Sequence, residues 1–137
     1  MADIRQFAVV PKSKLHLRDA NDELMYADAG KSLPICVNLY GPGSKPYAQA
    51  QAAQNNRIMD KLKRKGKSDQ NAEQRAAESA EFLSDCTESF ENLEYESLTN
   101  RSLAMAVYSD SSIGFIADQV AKHIGDWANF TKPSTMT

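Results

Sequence analysis

A chain of 137 residues, 42% hydrophobic and 25% charged, has the size and balance of one globular domain with one modest core. A formal net charge of −2 argues against a dedicated nucleic-acid binder, and no apolar run is long enough to span a membrane. The opening MADIRQFAVVPK carries charge too early and lacks the apolar core of a secretory signal. A reducing cytosol, with Cys36 and Cys86 as buried free thiols, is therefore the expectation.

In chain order, the first 43 residues read as β. Residues 1–11 either add an edge strand around 7–10 or form a loose arm. Residues 14–18 alternate polar and apolar, as a half-buried strand does. Asp19, Ala20, Asn21 and Asp22 supply turn chemistry, and residues 24–27 read as a return strand. Ala29, Gly30, Lys31 and Ser32 make a second turn. Residues 33–40 form a third strand, with Ile35, Val37 and Leu39 on one face and Pro34 tolerated at its start. The sum is a small antiparallel meander.

At Gly41-Pro42-Gly43 the pattern switches to helical. Ser44 is placed to cap a first helix, with Pro46 in its first turn, where a missing N–H costs nothing. Tyr47, Gln51, Gln54, Ile58 and Leu62 share one face of that helix, and Gly66 stops it. Ser68 or Asp69 caps a second helix running to about Cys86, with Ala72, Ala76, Ala80 and Leu83 as a narrow apolar stripe. A short polar connection makes an antiparallel helical hairpin the default. Phe90, Leu93 and Tyr95 lie in a less regular acidic stretch. Thr99 caps a third helix through Val107. Ser111 or Ser112 caps a fourth, where Ile113, Ile116, Val120 and Ile124 recur at helical spacing. The expected architecture is α+β: one domain over 1–137, β-rich to residue 43, about four helices over 44–130, and a flexible tail over 131–137.

Chemistry-bearing motifs are few. GPGSKPY has strand, glycine turn and helix start in the order of a phosphate loop. Its spacing departs from G-x-x-x-x-G-K-[ST], and Pro42 and Pro46 delete amides that would hold phosphate. His16 and His123 have no Cys, Asp or Glu at ligand spacing, and no Ser or Cys sits in a nucleophile motif. No catalytic residue, metal or cofactor is expected. The charge pattern says more. Arg57, Lys61, Lys63, Arg64, Lys65 and Lys67 oppose only Asp60 in the stretch 57–67, whereas the next 29 residues carry nine acids and one base, Arg75. Such a basic tip beside an acidic shoulder suits self-association or a charged protein partner, and the absence of interleaved aromatics makes nucleic acid a poor fit. The candidate surface is Tyr47, Arg57, Ile58, Met59, Lys61, Leu62 and Arg64, with the cations expected to be solvent-exposed.

Several pieces, in order, resemble a known family. They are the turn Tyr40-Gly41-Pro42-Gly43-Ser44-Lys45 with Tyr47 after it, Asn56-Arg57 within the helix, Cys86-Thr87 before Phe90, Asn92 and Leu93, and the closing Gly125-Asp126-Trp127-Ala128-Asn129-Phe130. From about residue 14 to 130 the chain resembles the tail assembly chaperones of long non-contractile-tailed (siphovirus-type) bacteriophages and prophages. That family often has Arg at the place of Trp127. The resemblance implies a non-enzymatic protein of the host cytoplasm that binds the tape-measure protein, helps recruit tail-tube subunits, and is absent from the mature virion. It often has a longer, frameshifted form. A virion structural or connector protein, or a small nucleic-acid-binding regulator, are the alternatives.

Overall fold

The computed structural model describes residues 1, 3–65 and 72–131. Its sheet is built around β2 (Cys36–Tyr40), flanked by β1 (Lys12–His16) and β3 (Thr87–Glu91), both antiparallel to it. The register puts Leu15, Val37 and Phe90 in one row across the three strands. That row and Leu39 face the helices. Lys14, Asn38 and Ser89 make the row on the opposite face, tied by a Lys14–Glu91 ion pair and by Asn38 donating to Ser89 and Glu91.

Four helices complete the fold: α1 (Lys45–Lys65), α2 (Ala72–Asp85), α3 (Asn100–Ser109) and α4 (Gly114–Ile124). The fold is α+β, as the switch in periodicity predicts. Leu103, Ala104, Val107 and Tyr108 of α3 and Ile116, Val120 and Ile124 of α4 form stripes spaced by helical turns. With Ala80, Leu83, Leu17, Val37 and Leu39 they form one core. Tyr47 meets Phe82 at one end of the α1–α2 contact and Lys61 meets Glu78 further along, so the two helices run in opposite senses.

The Gly-Pro-Gly segment is a joint. Ser44 is buried; its hydroxyl donates to the Gly41 carbonyl (2.7 Å) and accepts from the Tyr47 amide (3.3 Å), which caps α1 as expected. The closing 3-10 turn, Trp127–Phe130, folds back onto the same joint. Phe130 is fully buried, and a Cβ at Gly41 would overlap its ring.

Four sequence expectations are corrected. Residues 24–27 are no return strand: isolated bridges, Arg18 to Leu24 and Tyr26 to Pro34, hold a looped excursion, with Asp19 and Asp28 side chains accepting from the turn amides. The third strand is β3, inside the stretch read as helical and irregular. The residues around 7–10 hold a 3-10 turn, Ile4–Phe7, followed by Val10 donating to Phe130, instead of an edge strand. Ala76, placed on the apolar stripe of α2, is exposed. The Gly66 stop, the Ser68 or Asp69 cap and the tail after residue 131 lie outside the described residues.

Candidate protein-binding surfaces

The surface expected on α1 is divided between two sides of the helix. Tyr47 is half-buried and packs edge-on to Phe82, with ring centres 5.7 Å apart. Ala50, Ala53, Gln54, Arg57 and Lys61 recur at three- and four-residue intervals and form the side that faces the body. Arg57 and Lys61 are therefore only partly exposed, contrary to the expectation of a solvated surface. Arg57 Nε lies 3.1 Å from Glu78 Oε2 and 2.6 Å from Glu81 Oε2, and Lys61 Nζ lies 2.9 Å from Glu78 Oε1. The acidic partner expected on another molecule is supplied by α2 of the same chain. Ile58 and Met59 point outward, 36% and 52% exposed, and Leu62 is half-buried. The Arg64 side chain lies outside what the structure describes.

Glu78 is buried, and its electrostatics follow from that. Burial alone raises a carboxyl pKa; hydrogen bonds from Lys61 and Arg57 and their positive charge outweigh it and hold Glu78 below the usual glutamate value. Arg57 Nη2 is buried with no hydrogen-bond partner among the described residues.

The histidines and thiols have structural surroundings. His16 bonds the Met25 carbonyl and packs edge-on to Tyr26. His123 bonds the Ser13 hydroxyl and packs on Phe130; burial lowers its pKa, with Asp126 pulling the other way. Cys36 and Cys86 are buried and free, as expected, and burial pushes the Cys86 thiol up to about 12. Among the described residues, no group of three or more His, Cys, Asp or Glu is placed to hold a metal ion, and no helix is long and apolar enough to cross a membrane.

A concavity lies elsewhere. A groove of about 670 Å³ runs between the end of α2, β3, the loop after it and the start of α3. Thr87, Glu88, Ser89 and Phe90 line it in succession, and no residue of β1 or β2 does, so it follows the outer edge of β3. Leu93, Leu98 and Leu103 supply its apolar wall, and Asp85, Glu88, Glu94 and Arg101 are its charged lining residues. Sequence reasoning missed this site because the strand itself was not legible. The one available signal was Phe90 and Leu93 among acids.

No protein-family model, curated protein or solved structure matches the chain.

Proposed function

We propose that the chain is a non-enzymatic tail assembly chaperone of a siphovirus-type phage or prophage, acting in the host cytoplasm. It binds the tape-measure protein, helps bring tail-tube subunits to it, and leaves before the virion matures. The observation that carries this reading is that the pieces behind the resemblance are the joints of one fold. The Tyr40 amide donates to the Cys86 carbonyl, and Phe130 of the closing motif seats on Gly41. Three distant stretches of the ordered pattern meet at one place, where they serve the shape of the fold and not a chemical step. Exposed Ile4, Phe7, Met59 and Trp127 leave large apolar side chains for protein contacts.

The nucleic-acid alternative loses two of its cations, because Arg57 and Lys61 are engaged by Glu78 and Glu81. Co-expression with a siphovirus-type tape-measure protein tests the proposal. The tape-measure protein should stay in the supernatant and co-purify with this chain. Aggregation of the tape-measure protein irrespective of this chain, with no co-purification, would reject the reading.

A further inference from the structure

We infer that the groove along β3 is a docking site for an extended, basic segment of a partner protein, which joins the sheet as a fourth strand. The inference goes beyond the function proposed above and does not depend on it, because it rests on the backbone and charge of this groove alone.

Four observations carry it. First, β3 closes the sheet on one side, and the groove follows that side. The Tyr40 amide points toward β3, where it bonds Cys86, so Asn38 and Cys36, on the same alternation, also point there. Their partners Ser89 and Glu91 thus turn their backbone groups inward, and Phe90, opposite Val37, turns its N–H and C=O outward to the groove. An outward amide and carbonyl on an edge strand are a template for another strand.

Second, Ser84 lines the groove, is 6% exposed, and its buried hydroxyl has no hydrogen-bond partner among the described residues. A buried polar group without a partner is costly, so the end of α2 beside the groove carries an unsatisfied hydroxyl.

Third, charge selects the occupant. Asp85 is held by Arg101 and Glu88 by Lys12, while Glu94 is exposed with no ion-pair partner among the described residues. With Arg101 and Lys12 pairing two of the three carboxylates, the exposed Glu94 leaves the groove a negative charge, which favours a basic segment. That charge also disfavours pairing with β3 of a second copy, which would set acid against acid.

Fourth, the backbone beside the groove is held in costly conformations. Asn92, Glu96, Ser97 and Asn100 all have φ between 49° and 62°. Asn92 donating to Pro34 and Tyr95 donating to Asp110 pin this loop, so the groove wall is preformed.

The test is an NMR titration of the isotope-labelled full chain with three synthetic peptides: acetyl-KVKVKVK-amide, the same peptide N-methylated throughout, and acetyl-EVEVEVE-amide. The basic peptide should shift the amides of residues 87–91 and of the lining residues between 93 and 104. N-methylation removes the donor that the outward Phe90 carbonyl would accept and keeps the charge; it should weaken binding about five-fold, the worth of about one hydrogen bond. The acidic peptide should bind at least as poorly as the N-methylated one. Glu94→Lys, at an exposed site, should keep the melting temperature and weaken the basic peptide several-fold, less so at high salt. Shifts centred on another surface, equal binding of the N-methylated peptide, or no shifts at millimolar peptide would overturn the inference. So would protection of residues 87–91 that rises with protein concentration without peptide, since a second copy would then be the occupant.

Discussion

Arg57 and Glu78 face each other across the α1–α2 boundary at 3.1 Å, with the Glu78 side chain only 9% exposed. This contact fixes where the hairpin holds itself together, and it engages within the chain two residues expected to meet a partner. Glu78→Ala leaves Arg57 and Lys61 facing each other without Glu78 between them. Removing one side of a buried pair costs more than the pair contributes. Because the two cations are about 30% exposed, the expected loss is about 2 kcal/mol, read by thermal or urea denaturation. The charge reversal Arg57→Glu with Lys61→Glu places new carboxylates beside Glu78 and Glu81 and should lower the melting temperature further. Unchanged stability in both variants would show that the contact does not hold the hairpin.

Acid stability should fall in two stages. His123 has its pKa lowered by burial, so its contribution is complete above about pH 6.5 and is lost as pH falls through its lower folded value. Glu78 is held below the usual glutamate value. Its contribution is complete above about pH 4.5 and is lost as pH falls through its own folded pKa. Urea midpoints measured from pH 8 to pH 3 should show both declines. Glu78→Gln should reduce the lower one, to which Asp28, Glu91 and Asp110, also held below their ordinary values, contribute, and His123→Gln should remove the upper one.

The Gly41–Phe130 seat tolerates no side chain. Gly41→Ala drives a methyl into the Phe130 ring, and overpacking of this kind costs about 1–3 kcal/mol. Phe130→Ala empties a fully buried site and should cost about 3–5 kcal/mol. In the double variant Gly41→Ala with Phe130→Ala, the new methyl occupies vacated space, so its cost should fall short of the sum of the singles by a measurable coupling. Strict additivity would mean the two residues do not communicate.

Both thiols should be inert in the native state. Cys36 is 3% and Cys86 0% exposed, and burial raises both thiol pKa values. A thiol-specific chromogenic reagent at pH 8 should react with neither until denaturant is added, and then with two equivalents. Fast native-state labelling would contradict this burial.

The parts of the fold that were legible in the sequence share a property: local pattern and tertiary environment agree. Ser44 caps α1, and the turn chemistry at Asp19 and the stripes of α3 and α4 emerge as read. β3 was hidden by its bulge. Thr87 pairs with Leu39 and Phe90 with Val37, so two inward residues stand three apart instead of two, and the alternation disappears. The inward turn of Arg57 and Lys61 was hidden for a different reason. Their interval continues the Ala50–Ala53 side, but charge suggests solvent, and only the position of Glu78 on a neighbouring helix decides otherwise. The groove needed both β3 and the loop after it, whose left-handed residues are not glycines, so that only Asn92 and Asn100 carry a weak sequence mark.

The central claim is that this chain acts on a tail during assembly and then leaves it. Quantitative mass spectrometry of induced cells and of purified particles addresses it most directly. In cell extracts the chain should cross-link to the tape-measure protein. In purified particles it should be depleted by orders of magnitude relative to tail-tube protein. Recovery of the chain in mature particles at a fixed ratio to tail-tube protein would contradict the claim and make it a structural component of the virion.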